Sequence, residues 1–181
     1  MTTITENSVN NISDSELVAL CRSGDAVFFK KLYERYIGRV YGFALRLSGN
    51  TDLADDLTQE VFIKIWENIG AFKGDSALYS WIHKICVNAF LMKLRADKNY
   101  EKKINKGYDE SLIISYPGDD FSIDMEKAVQ KLPPQAKMVF ILFEIENYKH
   151  KEISEMLGIE EGTSKAHLHK ARKILREELV K

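Results

Sequence analysis

The chain has 181 residues, 45% of them hydrophobic and 29% charged, and a formal net charge of -1. That hydrophobic share excludes wholesale disorder and leaves room for one domain or two small ones. Three prolines, ten glycines and scarce period-two alternation point to an all-α fold, and every apolar run stops well short of the ~20 residues of a membrane span.

Residues 1–12 form a polar tail; the first eleven contain no Lys or Arg and no apolar core, so no signal peptide is expected and the protein is placed in the cytosol. Ser13 followed by Glu16 makes a capping box that opens a first helix, with Leu17, Leu20 and Cys21 inward and Gly24 as its stop. Asp25 caps a longer helix through about residue 47, with Phe28, Leu32, Tyr36 and Val40 at helical spacing. After the turn Ser48-Gly49-Asn50, Asp52 restarts a helix that runs to about residue 69, with Leu53, Leu57, Val61 and Ile65 on one stripe. Gly70 and Gly74 bracket a loop, and Ser76 or Asp75 caps a fourth helix to about residue 95, whose core stripe is Leu78, Ile82, Ile85 and Ala89. The cysteines, Cys21 and Cys86, fall in apolar helical patterns and read as buried, reduced thiols.

From 97 to 121 the apolar period fails. Lys98, Lys102, Lys103, Lys106, Gly107, Pro117, Gly118 and Asp119 read as a tethering linker. A second helical unit follows, with a short helix over 122–131, another from Pro133-Pro134 to about residue 145, a third over 151–157, Gly158 as a turn, and a last helix over 162–179. Two helical modules on a linker is the expected organisation.

The last two helices carry the first functional signal. Ile153, Leu157 and Ile159 fix the angle of a helix-turn-helix around Gly158. Between Thr163 and Arg176 every charged residue is a cation: Lys165, Lys170, Arg172, Lys173 and Arg176, with His167 and His169 among them. Ala166, Leu168, Ala171 and Leu175 are expected on the inward face. Such a helix after a tight turn suits phosphates and base edges of duplex DNA; the plainer reading is a solvated charged hairpin. His167 and His169 fall on different sides of the helix, and no Cys or acid is spaced to complete a metal site.

The front module carries a second signal. Asp55, Asp56, Gln59 and Glu60 form an acidic-polar patch, and Phe62, Ile63 and Trp66 exceed what one core stripe needs. Apolar area rimmed by acids fits a docking interface, whereas the alternative is that Phe62 and Trp66 enlarge the core. The next helix interleaves Tyr79, Trp81 and His83 with Lys84, between Lys73 ahead and Lys93 and Arg95 behind. Rings offer stacking platforms for unstacked bases and cations hold the backbone; core aromatics beside a solvated basic face remain the alternative.

Read together, these segments resemble the extracytoplasmic-function sigma factors of bacterial RNA polymerase, the minimal two-domain group. Residues 55–66 look like the family's polymerase-clamp helix in region 2, and 72–88 are similar to its promoter-melting loop and helix. Residues 132–135, 162–165 and 170–175 match region 4. The resemblance implies a region 2 domain over 13–96, a linker over 97–121 and a region 4 domain over 122–181. It implies docking on core RNA polymerase, at the clamp coiled coil of the largest subunit and the flap region, with Asp55, Asp56, Gln59, Glu60, Phe62, Ile63 and Trp66 on the clamp. It implies capture of a flipped base of the minus-ten element in the loop 71–76, with Phe72, Lys73, Asp75, Ser76, Tyr79, Trp81, Lys84 and Asn88 beside the separated strand. It implies reading of the minus-thirty-five element by Lys151, Thr163, Lys165, Ala166, His167, His169, Lys170 and Arg172. An anti-sigma factor, in this family often membrane-bound, is a further implied partner. No cofactor, metal or small-molecule substrate is implied, and no enzyme activity.

The chain departs from the family pattern at Lys149-His150-Lys151, where a Ser or Thr cap is common, at Ser164, commonly apolar, and at Ala166, His167 and His169. Two other functional classes compete: a helix-turn-helix regulator that acts without polymerase, and a nucleic-acid-processing enzyme. The acidic-aromatic patch argues against the first. The lack of any metal or nucleophile spacing argues against the second.

Overall fold

The computed structural model describes residues 12–96 and 123–180, with side chains from 124 onward in the second segment. The tail, the linker with its lysines and the predicted helix start at Ser122 lie outside the described residues. Among the described residues there are eight α-helices and no strand.

The first four helices are α1 (Asp14–Cys21), α2 (Ala26–Ser48), α3 (Thr51–Asn68) and α4 (Leu78–Ala96), with a single 3₁₀ turn at Ile69–Ala71. Their starts are chemically explicit. Ser13 Oγ accepts from the Glu16 amide (3.3 Å) while Glu16 Oε2 accepts from the Ser13 amide (2.9 Å), completing the capping box. Asp25 Oδ1 accepts from the Val27 amide at 2.8 Å. Asn50 Oδ1 takes the Leu53 amide at 3.0 Å, so α3 begins at Thr51 rather than at Asp52. α4 begins at Leu78, which puts Ala77, not Ser76 or Asp75, at the cap position; the Ala77 carbonyl accepts from the Trp81 amide at 3.2 Å. Gly49 closes α2 in the left-handed region at φ 58°, where a Cβ would be penalised.

These helices bury the expected stripes: Leu32, Tyr36 and Val40 of α2, Leu53, Leu57, Val61 and Ile65 of α3, and Leu78, Ile82 and Ala89 of α4. Three expectations shift. α1 buries Leu17, Val18 and Cys21 and leaves Leu20 half-buried, and Phe28 and Ile85 are half-buried too. Cys21 and Cys86 are free, buried thiols. Burial, with Glu146 nearby, pushes the Cys86 thiol far above its ordinary range, so it is no nucleophile at neutral pH.

The second group comprises α5 (Ile123–Gln130), α6 (Pro134–Phe140), α7 (His150–Leu157) and α8 (Glu161–Leu179). Pro134 occupies the first turn of α6, where a missing N–H costs nothing. α6 runs on as a π-helical segment, Ile141–Ile145, and stops at Glu146; Asn147 then turns the chain at φ 57°. Ile153 of α7 packs with Leu168, Ala171 and Leu175 of α8 in the core of this group.

The two groups touch. Across the seam, Arg46 donates to Glu126 Oε1 through both Nε (2.8 Å) and Nη2 (2.7 Å). Gln130 Nε2 donates to the Arg46 carbonyl (3.2 Å), and Lys137 Nζ donates to Gln130 Oε1 (2.9 Å). Beside this polar cluster, Leu91 and Leu94 of α4 face Pro134, Met138, Leu157 and Ile159 across a groove of about 250 Å³.

Lys137 has a measurable consequence. It is 1% exposed, and burial lowers its pKa to about 7, against a smaller upward pull from Glu126. Between that value and its ordinary 10.5 the unfolded chain holds the proton more tightly than the folded one. Stability is therefore penalised most below pH 7 and is recovered as pH rises towards 10.5, by up to ~1.4 kcal/mol per pH unit from this group. Lys137→Met is expected to flatten that rise between pH 7 and 9, read from urea midpoints.

Candidate nucleic-acid interface

Three surfaces carry the side chains singled out from sequence. The first is the outer face of α3. Asp55, Asp56 and Gln59 are exposed, and Ile63 and Trp66 are 58% and 41% exposed. Glu60 is half-buried and holds Lys64 (3.6 Å) and Lys93 (3.1 Å). Phe62 differs from the expectation: at 5% exposure it belongs to the core, edge-on to Phe29 and tilted against Tyr33, with ring centroids at 6.5 and 4.6 Å. Trp66 stands edge-on to Phe29 at 4.8 Å. The apolar surface therefore continues onto α2 through Val27 and Tyr33, 60% and 42% exposed, residues that the sequence reading missed. Phe29 and Tyr33 at i, i+4 beside the Phe28–Leu32 stripe were the available signal.

The second surface is the loop before α4 and that helix's outer side. Lys73, Asp75 and Ser76 are exposed. Phe72 is 7% exposed and packs on Trp81 with centroids 5.3 Å apart, while its carbonyl accepts from the Arg22 guanidinium. Phe72 is thus the loop's anchor rather than a free contact. Trp81 is half-buried, and Lys84 and Asn88 are exposed. Tyr79 is half-buried, with the Arg39 guanidinium 3.5 Å above its ring, a cation–π contact. Its hydroxyl donates to Glu146 Oε2 of the other helical group at 3.3 Å, and His83 Nε2 stands 3.5 Å from the same oxygen. Burial would raise the pKa of Glu146, but His83, Arg46 and the Tyr79 hydroxyl outweigh it and hold the carboxyl below its ordinary range.

The third surface is α8. Thr163, Lys165, Ala166, His169, Lys170 and Arg172 are exposed and His167 is half-buried. Ala166 was expected inward; its place is taken by Ser164, 0% exposed, so the inward stripe runs Ser164, Leu168, Ala171, Leu175. Ser164 Oγ is 2.9 Å from His150 Nδ1, and Phe143 stacks on that imidazole at 4.5 Å. This bond ties the first residue of α7 to the first turn of α8. It compensates for a cap position filled by Lys149, whose amide is instead taken by Glu152 at 2.9 Å. Burial, with Lys165 near, lowers the His150 pKa and favours the neutral ring. Gly158 ends α7 at φ 66°, as the turn requires. Lys151 is exposed on the same side as Lys165 through their shared neighbour Glu161, which pairs with Lys165 at 2.7 Å. Arg172 pairs with Glu144 at 2.6 Å. Exposed pairs of this kind are worth ~0–1 kcal/mol, so phosphates can displace them.

Among the described residues, no helix is long and apolar enough to cross a membrane, and no three His, Cys, Asp or Glu gather as metal ligands. The family description "Sigma-70 region 2" matches residues 32–100, and "Sigma-70, region 4" matches 122–175. The chain is 30% identical over 166 residues to the ECF RNA polymerase sigma factor SigM of Mycobacterium tuberculosis, covering 88% of this chain and 81% of that one. It belongs to the extracytoplasmic-function sigma factors.

A second relative of this sigma factor is SigE of Mycolicibacterium smegmatis, 32% identical over 168 residues; the match covers 83% of this chain and 61% of that longer protein. Among solved structures, the sigma factor RpoE in complex with the anti-sigma factor NepR from Bartonella quintana superposes with a TM-score of 0.62 at 25% identity, over 83% of this chain and 96% of that one. CnrH, solved with the cytosolic domain of CnrY, shares the fold at 20% identity, with a TM-score of 0.59 over 90% of this chain and 94% of that one. The all-α two-domain expectation holds, as does the reading as a transcription initiation factor rather than an enzyme; a regulator acting without polymerase is not favoured.

Proposed function

We propose that this sigma factor brings core RNA polymerase to a promoter set and opens it, with the work divided among the three surfaces. The outer face of α3 docks on the clamp coiled coil of the largest subunit through Ile63 and Trp66, with Asp55, Asp56, Gln59 and Glu60 as its polar rim and Phe62 as the support beneath. The loop 71–76 holds a flipped minus-ten base through Lys73, Asp75 and Ser76, with Phe72 fixing the loop. Tyr79, Trp81, Lys84 and Asn88 line the path of the separated strand. Flipping costs a few kcal/mol, which stacking and hydrogen bonds in such a pocket must offset. Region 4 lays α8 in the major groove of the minus-thirty-five element. Lys165, His169 and Lys170 lie nearest the bases, Thr163, Ala166 and His167 flank them, and Lys151 and Arg172 sit on phosphates. The domain division follows as region 2 over 13–96, a linker over 97–121 and region 4 over 122–181, with the flap region as a second polymerase contact. The site of action is the cytoplasm, where polymerase works, and an anti-sigma factor is a fitting partner because RpoE was solved with one.

The observation that carries this reading is the pairing of Ile63 and Trp66, exposed on a helix rimmed by acids, with a cation-faced helix-turn-helix on the same chain. Transcript starts mapped after overexpression supply the templates for the test. Purified chain plus core enzyme is expected to initiate at those starts, and core enzyme alone is not. A chain that neither associates with core enzyme nor confers initiation overturns the proposal.

A further inference from the structure

Ser164 is a polar residue in an apolar stripe. It is 0% exposed, and the stripe continues along α8 as Leu168, Ala171 and Leu175. A hydroxyl shut away from water is costly unless it is hydrogen-bonded. Its side-chain partner is His150 Nδ1, 2.9 Å away at the start of α7. Burial, and after it Lys165 and Arg172, hold the His150 pKa below its ordinary value against an opposing pull from Glu161, so the imidazole is neutral at neutral pH. A neutral ring accepts or donates at Nδ1 according to its tautomer, and a hydroxyl matches either.

His150 is itself fixed from a third element. The ring of Phe143, on the π-helical segment after α6, stacks on it with centroids 4.5 Å apart and planes 24° apart. The same phenyl ring has the Arg172 guanidinium 5.7 Å from its centroid, and Glu144 Oε1 holds Arg172 through Nε at 2.8 Å and Nη2 at 2.6 Å. One small cluster therefore ties α8 at Ser164 and again two turns later at Arg172, about 12 Å along its axis. Apolar contacts alone hold a helix without fixing its tilt closely, because the hydrophobic effect has no direction. A hydrogen bond has direction, and it weakens steeply once its length or angle departs from the optimum.

Lys165 follows Ser164 directly, so the bond that sets Ser164 also sets where Lys165 enters the groove. Contacts to base edges need hydrogen-bond geometry, whereas attraction to phosphates falls off slowly with distance. A change of tilt therefore costs sequence discrimination before it costs affinity.

We infer that His150 and Ser164 are paired positioning residues for the recognition helix: their bond fixes the tilt of α8 on α7, and the choice of minus-thirty-five sequence depends on it, through Lys165 and its neighbours rather than through contact of the pair with DNA. This rests on the proposed function for what α8 reads.

The test uses the full chain bound to core polymerase, with two templates competing in one reaction. One is a promoter taken from the mapped starts, and the other is the same promoter with one base of its minus-thirty-five element changed. The transcript ratio reads discrimination; anisotropy of a labelled shuffled duplex with the full chain alone reads sequence-independent affinity. His150→Leu and Ser164→Ala are each expected to lower the ratio at least about fivefold, a good part of what one base contact supplies, with shuffled-duplex affinity within about twofold of the wild type. His150→Asn, whose amide places a polar atom near the Nδ1 position, is expected to restore the ratio to within about twofold. The double variant His150→Leu with Ser164→Ala is expected to be no worse than the poorer single variant, because both changes remove the same bond. A bond that only stabilises the fold would lower the melting temperature and leave the ratio alone; that result, or losses that multiply in the double variant, overturns the inference. Should His150→Leu lose helical content, Ser164→Ala, which trims a single oxygen, decides the matter. A wild type without preference at any minus-thirty-five position overturns the proposed function of α8 and the pair's role together, whereas a preference that survives both single variants overturns the pair's role alone.

Discussion

Replacing Ile63 and Trp66 together by alanine is expected to weaken binding to core polymerase on the order of 100-fold, with helical content and melting temperature nearly unchanged. Ile63 is 58% exposed, and Trp66, 41% exposed, lies at the surface with its ring edge-on to Phe29, so truncation opens no enclosed cavity. An aromatic anchor at the centre of a docking face costs ~2 kcal/mol or more when removed, and a neighbouring Ile adds to that. Fluorescence titration of labelled chain with core enzyme measures the change. Wild-type affinity in a well-folded double variant would move the docking site elsewhere. Phe62→Ala serves as the contrast. Its ring is buried against Phe29 and Tyr33, and deleting a buried Phe costs ~3–5 kcal/mol of stability. That variant is expected to lose every activity through unfolding, so pairing it with Trp66 would confuse docking with folding.

Lys170→Glu is expected to lower affinity for duplex promoter DNA by about 10- to 100-fold and to leave core-polymerase binding within about twofold. Lys170 is exposed on α8, away from the buried stripe of Ser164, Leu168, Ala171 and Leu175, so the fold tolerates the change. The reversal removes one counterion-releasing contact and adds repulsion from a neighbouring phosphate. The slope of log K against log salt should become shallower by ~1. Equal slopes for the two proteins, with equal affinity, would remove Lys170 from the interface. Because Lys170 is placed nearest the bases, the loss is expected to be larger for one base at one position than for others; a uniform loss would move it to phosphate.

Much of this was legible because it is local. A capping box is four consecutive residues, and Ser13 and Glu16 close on each other wherever the helix sits. The stripes Leu53, Leu57, Val61, Ile65 and Leu32, Tyr36, Val40 follow from a 3.6-residue period, and all are buried. The turn at Gly158 needs only its own backbone. Boundaries shifted by a residue or two: α3 starts at Thr51, before the expected Asp52, because the Asn50 side chain reaches back from the turn to the Leu53 amide.

The amino-acid sequence by itself determined the eight helices, the apolar stripes that pair them and the segregation of cations onto α8, since each depends on neighbours within a turn or two. Only the tertiary structure decided which of two adjacent aromatic positions is core and which is surface. Phe62 lies under α2 because Phe29 and Tyr33 cover it, while Trp66, one turn on, meets only the edge of Phe29 among the rings and stays at the surface. It also decided that Ser164 turns inward to meet His150, and that a π-helical segment after α6 delivers Glu146 to Tyr79 on the other module. Periodicity orients a side chain about its own helix axis, but its burial, charge state and partner depend on residues far along the chain, and that information exists only once the helices have packed.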